Sequence, residues 1–192
     1  MGYPGSSSAD SSDAALIEGS WSEPGVFGAI FDRHFDAVRG YLARRVGPGR
    51  ADDLASSTFV VAFERRRRFR REATTARPWL LGIATNLLRN ERRAEQRALE
   101  LVGRLGSGEP VSAPDDVAEF SRVGEVLATL DPDQRDVLLL YAWEELSYEE
   151  IATALGVPVG TVRSRLSRGR TALRSLLGER ADLDSPRREM NG

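Results

Sequence analysis

The stretch covering residues 146–173 constrains most strongly what this chain can fold into. Ser147 is followed three residues later by Glu150, which is the spacing of a capping box and predicts a helix that begins directly after the serine. Gly156 predicts the end of that helix, because glycine adopts the left-handed C-cap conformation at little cost. Pro158 cannot continue the first helix but suits the start of the next one. Two short helices joined by a tight turn predict a helix-turn-helix.

The second helix of this motif has one apolar face and one polar face. At about 100° per residue, Val162, Leu166 and Leu173 fall on one stripe. The opposite side carries Arg163, Ser164, Ser167, Arg168, Thr171 and Arg174. Residues 156–178 contain five arginines and no acid. Guanidinium groups bind phosphates and guanine edges, so this face predicts contact with DNA in the major groove; the alternative is a basic helix that only faces solvent.

Length and composition exclude several classes of protein. The chain has 192 residues, enough for one ordinary domain or two small ones, and 41% of them are hydrophobic. It has no cysteine, which excludes disulfides and thiolate metal sites. No apolar run is long enough to span a bilayer, and the polar N-terminus does not resemble a signal peptide. These features predict a cytoplasmic protein that needs no cofactor and no metal.

The net charge of -2 conceals a strong segregation of charge along the chain. Residues 26–97 hold 16 arginines against 8 acids, whereas residues 1–25 hold four acids and no base. Residues 98–120 hold five acids and one arginine. Basic modules joined by an acidic connector indicate a protein that binds a polyanion.

The N-terminal half contains three helical patterns. Residues 26–46 and 51–68 predict two helices separated by a Gly-Pro-Gly break, and residues 77–97 predict a third. In the second helix Leu54 lies on one stripe while Phe59 and Phe63 emerge on another side. This helix is therefore either central to a bundle or presents an apolar face to a partner. His34 is the single histidine, so we interpret it as a packed residue and not as a metal ligand or catalyst.

Residues 65–71 form the densest run of charge, six arginines interrupted by Phe69. Such a run fits a strand of nucleic acid, with Phe69 available to stack on a base; a solvated face is the alternative. The third helix follows and presents Trp79, Asn86 and Arg89, residue types that read bases and hold phosphates.

The expected fold is all-α, with two small helical domains joined by a flexible linker. Asp131 and Pro132 predict the start of a further helix that leads into the helix-turn-helix. The predicted division is a disordered leader over 1–25, a first domain over 26–98, an acidic linker over 99–120, a second domain over 121–178 and a disordered tail over 179–192.

These motifs resemble those of one family. The sequence LATLDPDQRDVLLLYAWEELSYEEIATALGVPVGTVRSRLSRGRTALR resembles the promoter-binding region 4 domain of extracytoplasmic-function (ECF) sigma factors, small bacterial transcription initiation factors of the sigma-70 family. ADDLASSTFVVAF is similar to the helix with which region 2 of such factors docks on RNA polymerase, and RPWLLGIATNLLRNERR to the helix near the −10 promoter element. The family usually has Gln and Glu where this chain has Ser56 and Ser57, and Ala where it has Gly169.

The resemblance implies roles for particular residues. The −35 element would be bound by Arg163, Ser164, Arg165, Ser167, Arg168 and Arg170. The −10 element would be bound by Arg66, Arg67, Arg68, Phe69, Arg70, Trp79, Asn86, Arg89 and Arg93. Core polymerase would be bound by Asp52, Asp53, Leu54, Ser56, Phe59 and Phe63.

The resemblance also implies partners and a mechanism. The partners are promoter DNA and the polymerase core, contacted at the beta-prime clamp helices and the beta flap, together with an anti-sigma factor. The chain would be a monomer when free, would not insert into a membrane and would catalyse no reaction. A DNA-binding regulator that acts without polymerase is the alternative function, and it would bind duplex alone. A nucleic-acid enzyme lacks support, because no cysteine, second histidine or carboxylate metal motif is present.

Overall fold

The computed structural model describes residues 11–70, 73–104, 127 and 129–183, and every regular element in them is helical. This confirms the predicted all-α class. The α-helices are α1 (Asp13–Gly19), α2 (Gly28–Val46), α3 (Pro48–Arg65), α4 (Arg77–Arg104), α5 (Pro132–Ala142), α6 (Tyr148–Leu155) and α7 (Val159–Leu183), and two 3₁₀ turns cover Pro24–Phe27 and Arg66–Arg68. The chain divides into two compact units, the first with α1 to α4 and the second with α5, most of α6 and α7.

The N-terminal unit is organised around α2, α3 and α4, which all pack on one another. Gly47 joins α2 to α3 with a φ of 78°, a conformation that favours glycine. The core between the three helices is formed by Ile30, Val38, Leu42, Leu54, Ala62, Leu80, Leu81 and Leu88. Within it the buried hydroxyls of Tyr41 and Thr85 are 2.7 Å apart and hydrogen-bond. These two hydroxyls therefore satisfy each other inside the apolar core.

The prediction of a disordered leader is wrong for residues 13–19, which form α1. Ser12 caps this helix by accepting a hydrogen bond from the amide of Ala15 at 3.2 Å. Leu16 and Ile17 are buried, the latter only 1% exposed. One helical turn of apolar residues is too short to stand out as a periodic pattern, and tertiary burial stabilises it. Residues 1–10 lie outside the described residues.

Two predicted boundaries also differ from the structure. Helix α4 continues to Arg104, so the residues from 99 to 104 are helical where the linker was predicted. Helix α7 continues to Leu183, five residues into the predicted tail. Ala98, Leu99, Glu100 and Leu101 are all strong helix formers, which favours the longer α4. The linker residues 105–120 lie outside the described residues.

The C-terminal unit confirms the capping signals. The side chain of Asp131 accepts hydrogen bonds from the amides of Asp133 at 3.0 Å and Gln134 at 3.2 Å, and α5 begins at Pro132. Helix α5 then packs on α7 through a core that includes Val137, Leu138, Leu140, Ile151, Val162 and Leu166. No helix within the described ranges is long and apolar enough to cross a membrane.

We predict that Ile17→Ala destabilises the N-terminal unit by about 2–4 kcal/mol, because it leaves a cavity where a buried side chain packs. Val60→Ala is the matched control, since Val60 is 59% exposed and its truncation should change the free energy of unfolding by less than about 0.5 kcal/mol. Chemical denaturation of the two variants measures this difference. Equal stability of the two variants would mean that α1 does not contribute to the fold.

We also predict that Gly169→Ala does not stabilise the protein, although alanine is favoured over glycine in a helix by about 1 kcal/mol. A Cβ at position 169 would lie 2.8 Å from Cδ1 and 3.2 Å from Cγ of Leu138, which is buried in the core. Overpacking of this kind costs about 1–3 kcal/mol, so the variant should be neutral or less stable. Thermal unfolding decides the sign, and Gly160→Ala, where the added Cβ meets nothing within 4 Å, is the control.

Candidate nucleic-acid interface

Local interactions set the start of α6 and the turn that leads to α7. The amide and the hydroxyl of Ser147 donate to Oε2 of Glu150, both at 2.8 Å, and the amide of Glu150 donates back to the serine hydroxyl at 3.2 Å. This reciprocal pattern is the predicted capping box. Gly156 has a φ of 65°, as predicted for the turn. The cap therefore marks the start of α6, and the turn marks its end.

Helix α7 presents a polar outer face. Val162 and Leu166 are buried on the helix that packs against α5, whereas Arg163, Ser164, Ser167 and Arg168 are exposed. Nε of Arg168 donates to the carbonyl of Ser164 at 3.3 Å, which holds the guanidinium along the helix surface. These four side chains therefore form a polar strip that is accessible to a ligand.

The other two arginines predicted at this interface have partners inside the unit. Arg165 forms an ion pair with Asp133 at the start of α5. The guanidinium of Arg170 lies over the ring of Tyr141, 4.8 Å from its centroid. The prediction of Arg165 as a DNA contact is therefore corrected, because its side chain is largely buried and joins α7 to α5. Arg170 is half-buried.

Beside the polar strip lies a shallow cavity of about 280 Å³ that the sequence did not reveal. Its lining consists of Tyr148, Arg163, Leu166, Ser167, Arg170, Thr171 and Arg174. Tyr148 is the first residue of α6, directly after the cap, and its ring lies 5.7 Å from that of Tyr141, the ring over which Arg170 lies. The cavity combines guanidinium and hydroxyl groups, which both bind phosphate oxygens.

In the N-terminal unit, α4 brings three predicted residues to one side. Asn86, Arg89 and Arg93 are spaced by three and four positions, so they lie along one face of the helix. Asn86 and Arg93 are exposed, and Arg89 is half-buried. Trp79, in the first turn of α4, is also half-buried. Asn86, Arg89 and Arg93 therefore share one face of α4, and their contact with DNA stays a prediction.

The arginine run forms a 3₁₀ turn whose side chains are held in different ways. The guanidinium of Arg66 lies 3.9 Å from the centroid of the Phe63 ring and donates to the Phe63 carbonyl at 2.7 Å. Arg67 lies over the ring of Trp21, 5.9 Å from its centroid. Arg68 and Arg70 are exposed. Arg71 lies outside the described residues.

Phe69 does not occupy the surface that the sequence predicted. Its side chain is only 8% exposed, and its ring centroid lies 5.2 Å from that of Trp79. The interpretation of Phe69 as available to stack on a base is therefore wrong for this structure. Its ring instead packs on the first turn of α4 and anchors the arginine run there. The reason is that burying an aromatic ring is more favourable than leaving it exposed to water.

The residues predicted to dock on a partner separate into two groups. Asp52, Asp53 and Ser56 are exposed on α3, but Leu54 and Phe59 are each only 5% exposed. The Phe59 ring packs against Phe31 at a centroid distance of 4.9 Å, and the half-buried Phe63 ring packs against Phe27 at 5.4 Å. The structure favours the central-helix interpretation of α3 for these side chains. Val60, which the sequence did not single out, is the apolar residue that α3 exposes most.

His34 is packed, as predicted. Its Nε2 lies 2.7 Å from Oδ2 of Asp13, and its side chain is 12% exposed. Within the part of the chain that the structure describes, no group of three or more His, Asp and Glu side chains could hold a metal ion.

These two units define a two-domain, all-helical protein with a helix-turn-helix and a second basic face on a separate bundle. Residues 30–98 match the family model for sigma-70 region 2, and residues 120–173 match that for sigma-70, region 4. The RNA polymerase sigma factor CarQ of Myxococcus xanthus is 37% identical over 157 residues, which cover 80% of this chain and 90% of CarQ. The ECF RNA polymerase sigma factor SigL of Mycobacterium tuberculosis is 34% identical over 164 residues, 82% of this chain and 92% of SigL.

A solved structure agrees with these relatives. CnrH, solved in complex with the cytosolic domain of CnrY, superposes with a TM-score of 0.62 at 27% identity and covers 90% of this chain and 99% of that one. The chain belongs to the ECF sigma factors of the sigma-70 family. It binds RNA polymerase and directs promoter-specific initiation of transcription.

Proposed function

We propose that the C-terminal unit reads the −35 element of the promoter with the polar strip of α7. The exposed strip formed by Arg163, Ser164, Ser167 and Arg168 opposite a buried apolar stripe carries this proposal. A helix of this kind fits the major groove, where arginine binds guanine through two hydrogen bonds. Tyr148, Arg170 and Arg174 border the strip and would hold backbone phosphates, which fix the register but not the sequence.

The N-terminal unit is the proposed reader of the −10 element. Asn86, Arg89 and Arg93 on α4 would bind this DNA together with Trp79 and the run from Arg66 to Arg70, in which Phe69 supports the run from inside. Single-stranded nucleic acid is held by a positively charged surface and by aromatic stacking. The proposed domains are accordingly the −10 domain, 26–98 extended by α1 and by the end of α4, and the −35 domain, 121–178 extended by the end of α7.

The exposed side of α3 is the proposed docking surface for the polymerase core. Asp52, Asp53, Ser56 and Val60 lie on this side and would meet the clamp helices of the beta-prime subunit. An exposed valine surrounded by polar and acidic side chains has the composition of the centre and rim of an interface. The beta flap is the proposed contact of the −35 domain.

In this mechanism the chain positions polymerase and neither makes nor breaks a covalent bond. It acts in the bacterial cytoplasm, where polymerase and promoter DNA are found. An anti-sigma factor is a further proposed partner; the sigma factor RpoE of Bartonella quintana, for example, was solved in complex with the anti-sigma factor NepR. The free chain is proposed to be a monomer.

Run-off transcription with bacterial core polymerase and a pool of genomic fragments from the source organism tests the proposed function. New transcripts that require this protein establish which promoters it serves and reveal the two elements. Sequence-specific binding to duplex without polymerase, and no new transcript, would favour a regulator that acts alone.

We predict that Arg168→Ala lowers transcription from such a promoter by roughly 5- to 150-fold, since loss of a base-reading arginine costs about 1–3 kcal/mol. Its affinity for core polymerase should stay within about twofold of wild type, because the side chain lies on the exposed face of α7. Arg97→Ala, also an exposed arginine on a helix, is the matched control. An equal loss of transcription and core affinity in Arg168→Ala would contradict the assigned role.

We predict that Val60→Asp weakens core binding at least about tenfold, because it places a charge in the centre of the proposed interface. Ala94→Asp introduces the same charge at an exposed position of α4 and should leave core affinity unchanged. Thermal unfolding of both variants controls for stability. Phe59→Ala cannot serve this purpose, since Phe59 is buried and its truncation would destabilise the fold. Unchanged core affinity in Val60→Asp would rule out this docking surface.

A further inference from the structure

The N-terminal segment, residues 11–23, contacts both flanks of the arginine run. It includes α1 and the turn that follows it, and it packs against α2 and the 3₁₀ turn of Arg66–Arg68. Its contacts reach residues that lie between about 20 and 60 positions away in the sequence. The segment therefore contacts several parts of the domain that are distant from it in the sequence.

Asp13 makes the most concentrated set of these contacts. Its Oδ2 accepts hydrogen bonds from the amide of Ala76 at 2.7 Å and the hydroxyl of Thr75 at 3.1 Å. Nε2 of His34 lies 2.7 Å from the same oxygen, and Nη1 of Arg33 donates to Oδ1 at 3.0 Å. The residue is 6% exposed. Both carboxylate oxygens are thus engaged with α2 and with the two residues that precede α4.

These contacts outweigh the cost of burying the charge. Burial alone would raise the pKa of Asp13, but the hydrogen bonds from Ala76, His34 and Arg33 hold the pKa below the ordinary value of an aspartate. The carboxylate is therefore ionised at neutral pH. Its stabilising contribution is complete above the pKa of an unfolded aspartate and is lost as the pH falls through the lowered value.

Asp13 is not needed to cap its own helix. Ser12 already fills that role through the amide of Ala15. An aspartate in the first turn usually stays at the surface, where it complements the helix dipole. Here the carboxylate turns inward and binds a backbone amide 63 residues further along the chain. The carboxylate of Asp13 therefore stabilises the segment before α4 more than it stabilises α1.

The other flank of the arginine run is held by the end of the same segment. Nε of Arg66 donates to the carbonyl of Ser20 at 3.4 Å, and Ser20 is fully buried. The ring of Trp21 lies beneath the guanidinium of Arg67. One short segment thus fixes the start of the run through Ser20 and Trp21, and the approach to α4 through Asp13.

We propose that Asp13 is a positioning residue for promoter recognition, which holds the arginine run in the place relative to α4 that −10 DNA requires. This inference rests on the proposed function of the N-terminal unit. Asp13 is buried and does not touch DNA itself. A surface that is ordered before binding loses less conformational entropy on binding, so affinity for the −10 strand depends on this carboxylate.

Hydrogen exchange of the full-length free chain tests the contact without any assumption about function. In Asp13→Asn, which keeps the shape but removes the charge, exchange should accelerate at least about fivefold at Ala76 and over residues 66–70. Exchange in α3 and in the C-terminal unit should stay unchanged. Asp32→Asn, an exposed aspartate on α2, is the matched control. Unchanged exchange at Ala76 and 66–70 in Asp13→Asn would overturn the inference.

Transcription by the holoenzyme tests the consequence. The templates are a promoter recovered by run-off transcription and the same promoter with a substituted −10 element, and the ratio of the two rates measures −10 discrimination. Asp13→Asn should lower this ratio about tenfold while core affinity and the effect of a −35 substitution stay within about twofold. Loss of folded protein lowers both rates equally and leaves the ratio unchanged, so the ratio separates positioning from stability.

Asp13→Asn could also accelerate exchange throughout the N-terminal unit, which would indicate a general loss of stability. In that case a second variant, His34→Ala, tests the positioning role. This variant removes one partner of the carboxylate and leaves Ala76, Thr75 and Arg33 in place, so a ratio reduced about two- to threefold is expected. An unchanged ratio in every variant that remains folded overturns the inference. A wild-type holoenzyme that shows no −10 discrimination overturns the proposed function of the unit, and the inference with it.

Discussion

An excess of positive charge is the constraint on which the N-terminal domain depends. Residues 26–97 carry 16 arginines and 8 acids, and like charges packed at this density repel one another. In the arginine run, aromatic rings and carbonyl oxygens hold the guanidinium groups in place. Arg66 lies over Phe63, and Arg67 lies over Trp21. Cation–π contacts and carbonyl hydrogen bonds fix a guanidinium group without cancelling its charge. The domain can therefore order its arginines and still present a positive surface to DNA.

Carboxylates pair with arginines where two helices meet. Arg50 at the start of α3 binds Glu91 at 2.8 Å and Glu95 at 2.9 Å on α4, and Arg165 on α7 binds Asp133 on α5. Arg165 and Arg168 are only three positions apart on one helix, yet one side chain joins two helices and the other faces outward. The two residues are of the same type and lie on the same helix, so neither property distinguishes them. The difference is that Arg165 has an acidic partner, Asp133, on the neighbouring helix.

Local signals explain which parts of the structure could be predicted from the sequence. The ends of α6 and the start of α7 follow from Ser147, Glu150 and Gly156, whose interactions span at most a few residues, and α5 follows in the same way from Asp131. Burial of Phe59 depends on Phe31 and Phe35 of another helix, so periodicity along α3 could show two apolar sides but not which one is covered. Helix α1 was missed for the same reason, since its order comes from distant contacts.

The distance between Asp13 and its partner in the sequence has a consequence for synthesis on the ribosome. Ala76 is made 63 residues after Asp13, which at ~5–20 residues per second corresponds to about 3–13 seconds. During this interval the carboxylate of Asp13 has its partners on α2, Arg33 and His34, but lacks the amide of Ala76. The contact between α1 and the approach to α4 therefore cannot form until α2 and α3 have both been made.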